Sequence, residues 1–216
     1  MQNETRVKRM SKLWEILFGP LWQKVNTAKL LYHKILSLTY YKYIFKEFGQ
    51  SSIIRAPLII EHPEKIFIGR GVRIRDGLRL EAVTQWHDQH FSPELVIDDG
   101  VSIEQNAHIT CANSVHIGKD VTILFNATIT DIDHCHENID MHVLRQPLRV
   151  GAVIVGDFCF IGSGAKIFAG TTLGKQCIVG ANAVVRGVFP DYCVIAGVPA
   201  KIIKRYNAIS SKWERI

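Results

Sequence analysis

Residues 155–185 read VGDFCFIGSGAKIFAGTTLGKQCIVGANAVV, and this stretch repeats every six residues. Each sixth position is a branched aliphatic residue, and the position four residues after it is small. The aliphatic series is Val155, Ile161, Ile167, Leu173, Val179 and Val185. A period of six fits neither an α-helix nor a simple alternating strand. It is typical of the hexapeptide repeat of a parallel β-helix, in which each coil buries the next.

The same rhythm extends towards the N-terminus with two interruptions. It begins near Ile68 and breaks at residues 81–94 and again at residues 130–149. We expect both segments to leave a corner of the coil as loops. Three hexads form a triangular coil of about 18 residues. The sequence therefore predicts that Cys159 lies directly beneath Cys177 in the stack.

Charge is distributed unevenly along the chain, whose net charge is +6 over 216 residues. Residues 1–50 contain nine Lys/Arg and three Asp/Glu, whereas residues 51–216 contain seventeen of each. A basic surface confined to one segment argues against nucleic acid as a partner. Five cysteines without a C-x-x-C pair are typical of reduced packing residues. With no signal-peptide pattern and no long apolar run, we expect a cytoplasmic protein.

Residues 1–50 are predicted to form a basic amphipathic helical extension, broken at Pro20. Apolar residues recur there at helical spacing: Trp14, Leu17, Phe18, Leu21, Trp22, Val25, Ala28, Tyr32 and Ile35. Two interpretations stay open. The helix packs its apolar side on the β-helix or on a neighbouring subunit, or it lies on the inner membrane face as a peripheral contact. We favour packing, because helical stripes more often belong to a core.

The repeat, the block Phe160-Ile161-Gly162-Ser163 and the sequence AGVPAK at residues 196–201 resemble hexapeptide-repeat acyltransferases. The resemblance covers residues 58–206 and is strongest to sugar O-acetyltransferases of bacterial capsule, lipopolysaccharide or exopolysaccharide synthesis. It implies a left-handed parallel β-helix over residues 51–206, followed by a C-terminal tail at 207–216. It also implies acetyl-coenzyme A as co-substrate and a homotrimer with active sites in the grooves between subunits.

The resemblance places the chemistry in the second interruption, where Asp131-Ile132-Asp133-His134 follows the strand after Ile117-Gly118. Acetyl transfer to a hydroxyl needs a base for the hydroxyl proton, and histidine titrates near neutral pH. His134 is the predicted base, and His136 is its rival. Asp131 or Asp133 is expected to orient the imidazole, and the sequence does not choose between them.

Residues for the coenzyme follow from the same resemblance. Phe160 is expected to pack on the pantetheine arm, and a backbone N–H at Gly162 or Ser163 is a candidate donor to the oxyanion. The basic residues after AGVPA suit the phosphates of the nucleotide. The full predicted set is Phe160, Gly162, Ser163, Ala181, Lys201 and Lys204. Arg186 is left without a role.

Several alternatives remain beside this interpretation. Asn106 matches a position that binds the acceptor in related enzymes, but asparagine is also common in turns. The loop at 130–149 is rich in possible zinc ligands, yet it lacks the histidine spacing of the γ-class carbonic anhydrases, which share the fold, so we expect no metal. N-acetylation of an amino sugar nucleotide is a second possible activity. A non-catalytic trimeric scaffold is the third.

Overall fold

A three-sided solenoid of short parallel strands forms most of the computed structural model, which describes residues 20–216. Each coil passes through sheets A, B and C in that order. Sheet A contains β1 (Glu47–Phe48), β4 (Ile66–Ile68), β9 (Glu94–Ile97), β12 (Ser114–Ile117), β17 (Val153–Val155), β20 (Thr172–Leu173) and β23 (Val188–Phe189). Sheet B contains β2 (Ile53–Ile54), β5 (Arg73–Ile74), β10 (Ser102–Ile103), β13 (Thr122–Ile123), β18 (Phe160–Ile161), β21 (Ile178–Val179) and β24 (Cys193–Gly197). Sheet C contains β3 (Ile59–Glu61), β6 (Arg79–Ala82), β11 (His108–Cys111), β14 (Thr128–Thr130), β19 (Lys166–Ile167) and β22 (Val184–Val185).

The aliphatic residue of each hexad points inward and stacks on its counterpart in the next coil. In sheet B, Ile161 pairs with Ile123 below it and with Val179 above it. All three side chains are buried. A ladder of branched side chains fills the interior at the close packing of protein cores, which accounts for the strict period of six.

The cysteines form part of the same ladder. The backbone N–H of Cys177 lies 3.3 Å from the sulfur of Cys159, and the sulfur of Cys193 lies 3.5 Å from that of Cys177. The predicted stacking of Cys159 beneath Cys177 is therefore confirmed. All five cysteines of the chain are free thiols.

The corner between sheets B and C is built from residues in the left-handed backbone region. Gly77, Asn106, Asn126, Gly164 and Asn182 occupy it in successive coils, with φ between 55° and 79°. Asparagine tolerates this region better than other residues with a Cβ. A Cβ placed on Gly77 would lie 2.1 Å from Oδ1 of Asn106, so the asparagine side chain lies directly over the glycine. The turn interpretation of Asn106 thus has a structural basis.

The N-terminal segment consists of α1 (Leu21–Leu36), a π-helical turn (Ser37–Tyr41) and α2 (Lys42–Ile44). The C-terminal part of this segment anchors it to the solenoid. The hydroxyl of Ser37 accepts a hydrogen bond from the N–H of Ile54 at 3.3 Å. Tyr41 and Phe45 are buried against the first coil.

In contrast, α1 itself contains no buried residue. The expected packing of its apolar side against this chain's own β-helix is therefore absent from α1. Trp14, Leu17 and Phe18, which belong to the predicted stripe, lie outside the described residues. No helix within residues 20–216 is long and apolar enough to cross a bilayer.

The C-terminal end extends sheet B instead of starting another coil. After β24 the chain reverses into β25 (Ala200–Asn207) and β26 (Lys212–Arg215), which pair antiparallel. Ala200 and Ile202 pack against the core. The predicted tail at 207–216 therefore contains the last strand of the sheet.

Candidate active site

Two hairpins leave the solenoid at the corner between sheets C and A, at the two interruptions of the repeat. The first pairs β7 (Gln85–Trp86) with β8 (Gln89–His90). The second pairs β15 (Ile132–His134) with β16 (Leu148–Val150), and a 3-10 turn (Val143–Arg145) lies in the loop between them. Both hairpins arise at the same corner because each interruption follows a strand of sheet C.

The first hairpin holds the second through hydrogen bonds to its backbone. The indole N–H of Trp86 donates to the carbonyl oxygen of Gln146 at 3.0 Å. The side chain of Gln89 donates to the carbonyl oxygen of Leu148 at 3.1 Å and accepts from its N–H at 2.6 Å. These contacts bridge residues about sixty positions apart and hold the second hairpin against the first.

His134 stands at the end of β15 with its side chain exposed. Its imidazole packs edge-on against the indole of Trp86, with ring centroids 5.4 Å apart. Both rings line a cleft of about 550 Å³ that lies over the outer face of sheet C. Phe168 also lines this cleft. The predicted base therefore borders a cavity with room for a sugar ring.

A polar cluster from sheet C lines the floor of this cleft. The imidazole Nε2 of His108 lies 3.2 Å from a carboxylate oxygen of Glu81 and 2.8 Å from the hydroxyl of Thr110. The guanidinium of Arg79 donates to both oxygens of Glu81, whose side chain is almost fully buried. Burial of the imidazole lowers the pKa of His108 below its usual value.

Glu81, His108 and Trp86 were not among the predicted site residues. His108 lies on the outer side of β11. The hexad predicts which side chains point outward, but all three sheets have an outer face. Only the folded hairpins determine which of these faces becomes the wall of a cleft.

Asp131, one of the two predicted orienting residues, is fully buried beneath the second hairpin. Its carboxylate accepts hydrogen bonds from the backbone N–H groups of Ala112, Asn113 and Ser114 at 2.7 to 2.8 Å. These residues lie at the junction between β11 and β12. Asp131 thus supplies the acceptor for three N–H groups that the sheet does not pair.

Asp133, the other candidate, forms a two-pronged ion pair with Arg186. The two terminal nitrogens of Arg186 donate to the two carboxylate oxygens at 2.7 and 2.8 Å. This guanidinium lowers the pKa of Asp133 below that of an ordinary aspartate. Arg186, which the sequence left without a role, directly follows β22, the last strand of sheet C. Its ion pair therefore ties β15 to that strand. Orientation of His134 by either aspartate stays a prediction.

The rest of the second loop also engages its own polar groups. His136, the rival base, is exposed, and its backbone N–H donates to Glu137 at 3.0 Å. Arg149 pairs with Glu137 and lowers the pKa of that carboxyl to about 2. The ring of His142 accepts from the N–H of Leu144 at 3.2 Å. Within residues 20–216, no three His, Cys, Asp or Glu side chains are grouped closely enough to hold a metal ion.

The turn residues predicted for the coenzyme lie at the opposite edge of sheet C, at its corner with sheet B. Ser163 and Ala181 line a cleft of about 480 Å³ together with Asn126 and Asn182. A Cβ on Gly162 would lie 2.6 Å from the backbone N of Ala181, so successive coils are in close contact here. The structure therefore brings the turn residues of the predicted set to one corner.

The remaining members of that set belong to sheet B. Phe160 in β18 is 41% exposed. Lys201 is exposed and Lys204 is half-buried on β25, which pairs with β24 beside that corner. Asn106 occupies the same corner as Ser163, two coils earlier, and lies away from His134.

Comparison with known proteins agrees with this architecture. Residues 152–186 match the family model described as the hexapeptide repeat of succinyl-transferase. WbbJ of Escherichia coli K12, assigned as a lipopolysaccharide biosynthesis O-acetyl transferase, is 36% identical over 174 residues, which cover 76% of this chain and 83% of that protein. The chain belongs to the hexapeptide-repeat acetyltransferases.

Further relatives of this acetyltransferase support the same family. Rv3034c of Mycobacterium tuberculosis, assigned as an acetyltransferase, is 29% identical over 158 residues, covering 69% of this chain and 52% of that longer protein. Among solved structures, AntD, an N-acyltransferase from Bacillus cereus in complex with dTDP and 3-hydroxybutyryl-CoA, superposes with a TM-score of 0.65 at 20% identity. That match covers 78% of this chain and 87% of AntD. The predicted left-handed β-helix is confirmed.

Within one copy of this acetyltransferase, the two groups of predicted site residues are not in contact. His134 belongs to the corner between sheets C and A, whereas Ser163 and Ala181 belong to the corner between sheets B and C. Sheet C separates the two corners. The two groups therefore line separate clefts of one copy.

Proposed function

We propose that this acetyltransferase transfers an acetyl group from acetyl-coenzyme A to a hydroxyl of a sugar in a cell-surface polysaccharide or its precursor. The observation that carries the proposal is the position of His134, beside Trp86 at the rim of a cleft large enough for a sugar ring. The O-acetyl transfer assigned to WbbJ supports the same reaction class. Five free thiols fit a cytoplasmic location.

His134 acts as the general base. It accepts the proton of the acceptor hydroxyl as the oxygen attacks the thioester carbonyl. The tetrahedral intermediate then collapses, the C–S bond breaks, and the coenzyme thiolate takes the proton from the imidazolium. No acyl-enzyme forms, so no nucleophilic side chain is needed.

The donor side lies at the corner between sheets B and C. The N–H of Gly162 donates to the carbonyl oxygen of Val179 at 2.9 Å, so it is committed to the sheet. We therefore assign the role of oxyanion donor to the N–H of Ser163. Phe160 offers an apolar surface to the pantetheine arm, and Lys201 and Lys204 offer point charges to the phosphates.

A homotrimer completes this site. In such an assembly the corner between sheets C and A of one subunit, with His134, faces the corner between sheets B and C of its neighbour, with Ser163 and Ala181. The thioester then lies in the groove between two copies, within reach of both groups. Each of three equivalent grooves would contain one complete site.

The acceptor occupies the cleft beside His134. Trp86 and Phe168 provide flat apolar walls of the kind on which sugar rings pack. Asn106 lies at the corner between sheets B and C. If it binds the acceptor, it does so from the subunit on the other side of the groove from His134.

Calorimetry with acetyl-coenzyme A tests the donor side without knowledge of the acceptor. We expect saturable binding that Lys201→Ala and Lys204→Ala weaken. Lys212→Ala removes an exposed lysine from β26 in the same hairpin and is the matched control. Absence of binding by the wild-type protein would overturn the proposal.

A thiol-release assay then tests the acceptor side. Sugars and nucleotide sugars are supplied in matched pairs that carry a hydroxyl or an amine at the same carbon. Turnover of the hydroxyl member is the expected result. Turnover of the amine member alone would replace O-acetylation by N-acetylation on the same scaffold.

A further inference from the structure

The helix α1 turns an apolar stripe away from the rest of the protein. At about 100° per residue, five side chains fall on one face of the helix. These residues are Leu21, Val25, Ala28, Tyr32 and Ile35. Leu21 is 77% exposed, Tyr32 61% and Ile35 53%. Contiguous apolar surface of this kind marks an interaction site more often than a bare monomer surface.

The opposite side of α1 faces the solenoid. Within the helix, Gln23, His33 and Leu36 are the half-buried residues. Leu30 lines a cleft against Ile53 and Arg55 of the first coil. The helix thus contacts the solenoid through a mixed polar and apolar side, and its apolar stripe stays exposed. The anchor at Ser37 and Tyr41 holds it in this orientation.

The charge of this segment has one sign. Residues 20–46 contain five lysines and no Asp or Glu. Lys24 and Lys29 lie on either side of the apolar stripe by helical position. A helix with an exposed apolar face bordered by lysines has the features of one that lies in a membrane interface.

We propose that α1 docks this protein on an anionic lipid surface. Its apolar stripe enters the boundary between headgroups and acyl chains, and its lysines meet the lipid phosphates. A second copy of α1 is a poor occupant of the same face, because pairing two stripes brings lysines together with no carboxylate from residues 20–46 to oppose them. The inference rests on this helix alone and does not depend on acetyl transfer.

Vesicle flotation of the full-length chain tests the proposal directly. We expect binding to vesicles of phosphatidylcholine mixed with phosphatidylglycerol, and little binding to phosphatidylcholine alone. Added salt should weaken the binding, because it screens the lysines.

Two sets of substitutions separate the apolar and the basic contributions. Tyr32→Ser with Ile35→Ser, and separately Lys24→Glu with Lys29→Glu, should each reduce binding about 10-fold or more. Ile209→Ser is the matched apolar control, since Ile209 is 98% exposed at the far end of the chain. Lys65→Glu with Lys119→Glu is the matched charge control, because both lysines are exposed on the solenoid. Neither control should alter binding.

Three outcomes would overturn the proposal. The first is a wild-type chain that does not float with anionic vesicles, and the second is stripe variants that float as the wild type does. The third is a change in molar mass by light scattering in the stripe variants without lipid binding by the wild type, which would assign the face to another copy. Since α1 contains no buried residue, the variants should keep the wild-type melting temperature, and circular dichroism checks this.

Discussion

The indole of Trp86 meets the imidazole of His134 edge-on, with ring planes inclined by 70°. The two residues come from different hairpins, so the first interruption of the repeat determines where the histidine of the second one lies. Trp86 also bonds to the backbone of Gln146 in the same loop. The first hairpin is therefore a support for the candidate base as well as a wall of the cleft.

Replacement of Trp86 tests this support. Trp86→Ala should lower kcat/KM about 10-fold, because the imidazole loses the wall that positions it. Trp86→Phe keeps an aromatic edge and should recover most of the loss. Trp213→Ala, in the C-terminal hairpin, serves as the control. Wild-type kinetics for Trp86→Ala would show that Trp86 does not position His134.

The ion pair between Asp133 and Arg186 should stabilise the fold in a pH-dependent way. Arg186 lowers the pKa of Asp133 in the folded state, so the stabilisation is present above the ordinary aspartate pKa. It is lost as the pH falls through the lowered value. Since both groups are partly exposed, the effect is expected to be about 1 kcal/mol or less.

Arg186→Ala and the wild type, compared by chemical denaturation, provide the measurement. The difference in their free energies of unfolding should be largest at neutral pH and should vanish in strong acid. Arg186→Lys keeps the charge, loses the paired geometry and should fall between the two. A difference that is unchanged by pH would contradict the assignment.

Asp131 should be required for the fold itself. Asp131→Ala removes the buried carboxylate that accepts from three backbone N–H groups, and we expect a loss of about 3 kcal/mol in the free energy of unfolding. Asp140→Ala, an exposed residue of the same loop, should have little effect. Equal stability of the two variants by urea denaturation would show that the N–H groups find other partners.

Two substitutions at Asn106 distinguish a turn residue from an acceptor-binding residue. Its backbone is left-handed, with φ of 56°, so Asn106→Gly keeps the turn and removes the side chain. Asn106→Ala should cost about 1 kcal/mol of stability, because alanine disfavours this region. If Asn106 only forms the turn, Asn106→Gly keeps wild-type kinetics. A raised KM for the acceptor in a stable Asn106→Gly protein would assign it to acceptor binding.

The solenoid was predictable because its interior imposes one rule on every coil. A residue such as Ile161 must match Ile123 and Val179 in shape, and the same rule placed Cys159 under Cys177. The position of the loop that contains His134 was also predictable, because the six-residue period breaks at residues 130–149.

The contacts inside the hairpins were not predictable from that rule. Neither the pairing of Asp133 with Arg186 nor the contact of Trp86 with His134 follows from a six-residue period, because both depend on how the insertions fold over sheet C. The orientation of α1 was also missed. Helical spacing predicts which residues share a face, but the anchor at Ser37 decides which face meets the solenoid.

The most direct test of the central claim is the rate of thiol release with a proven acceptor for His134→Ala and His136→Ala. We expect His134→Ala to lose about 100-fold or more in kcat while its affinity for acetyl-coenzyme A by calorimetry is unchanged. His136→Ala should stay near the wild-type rate. A His134→Ala protein that acetylates the acceptor as fast as the wild type would contradict the assignment of the base.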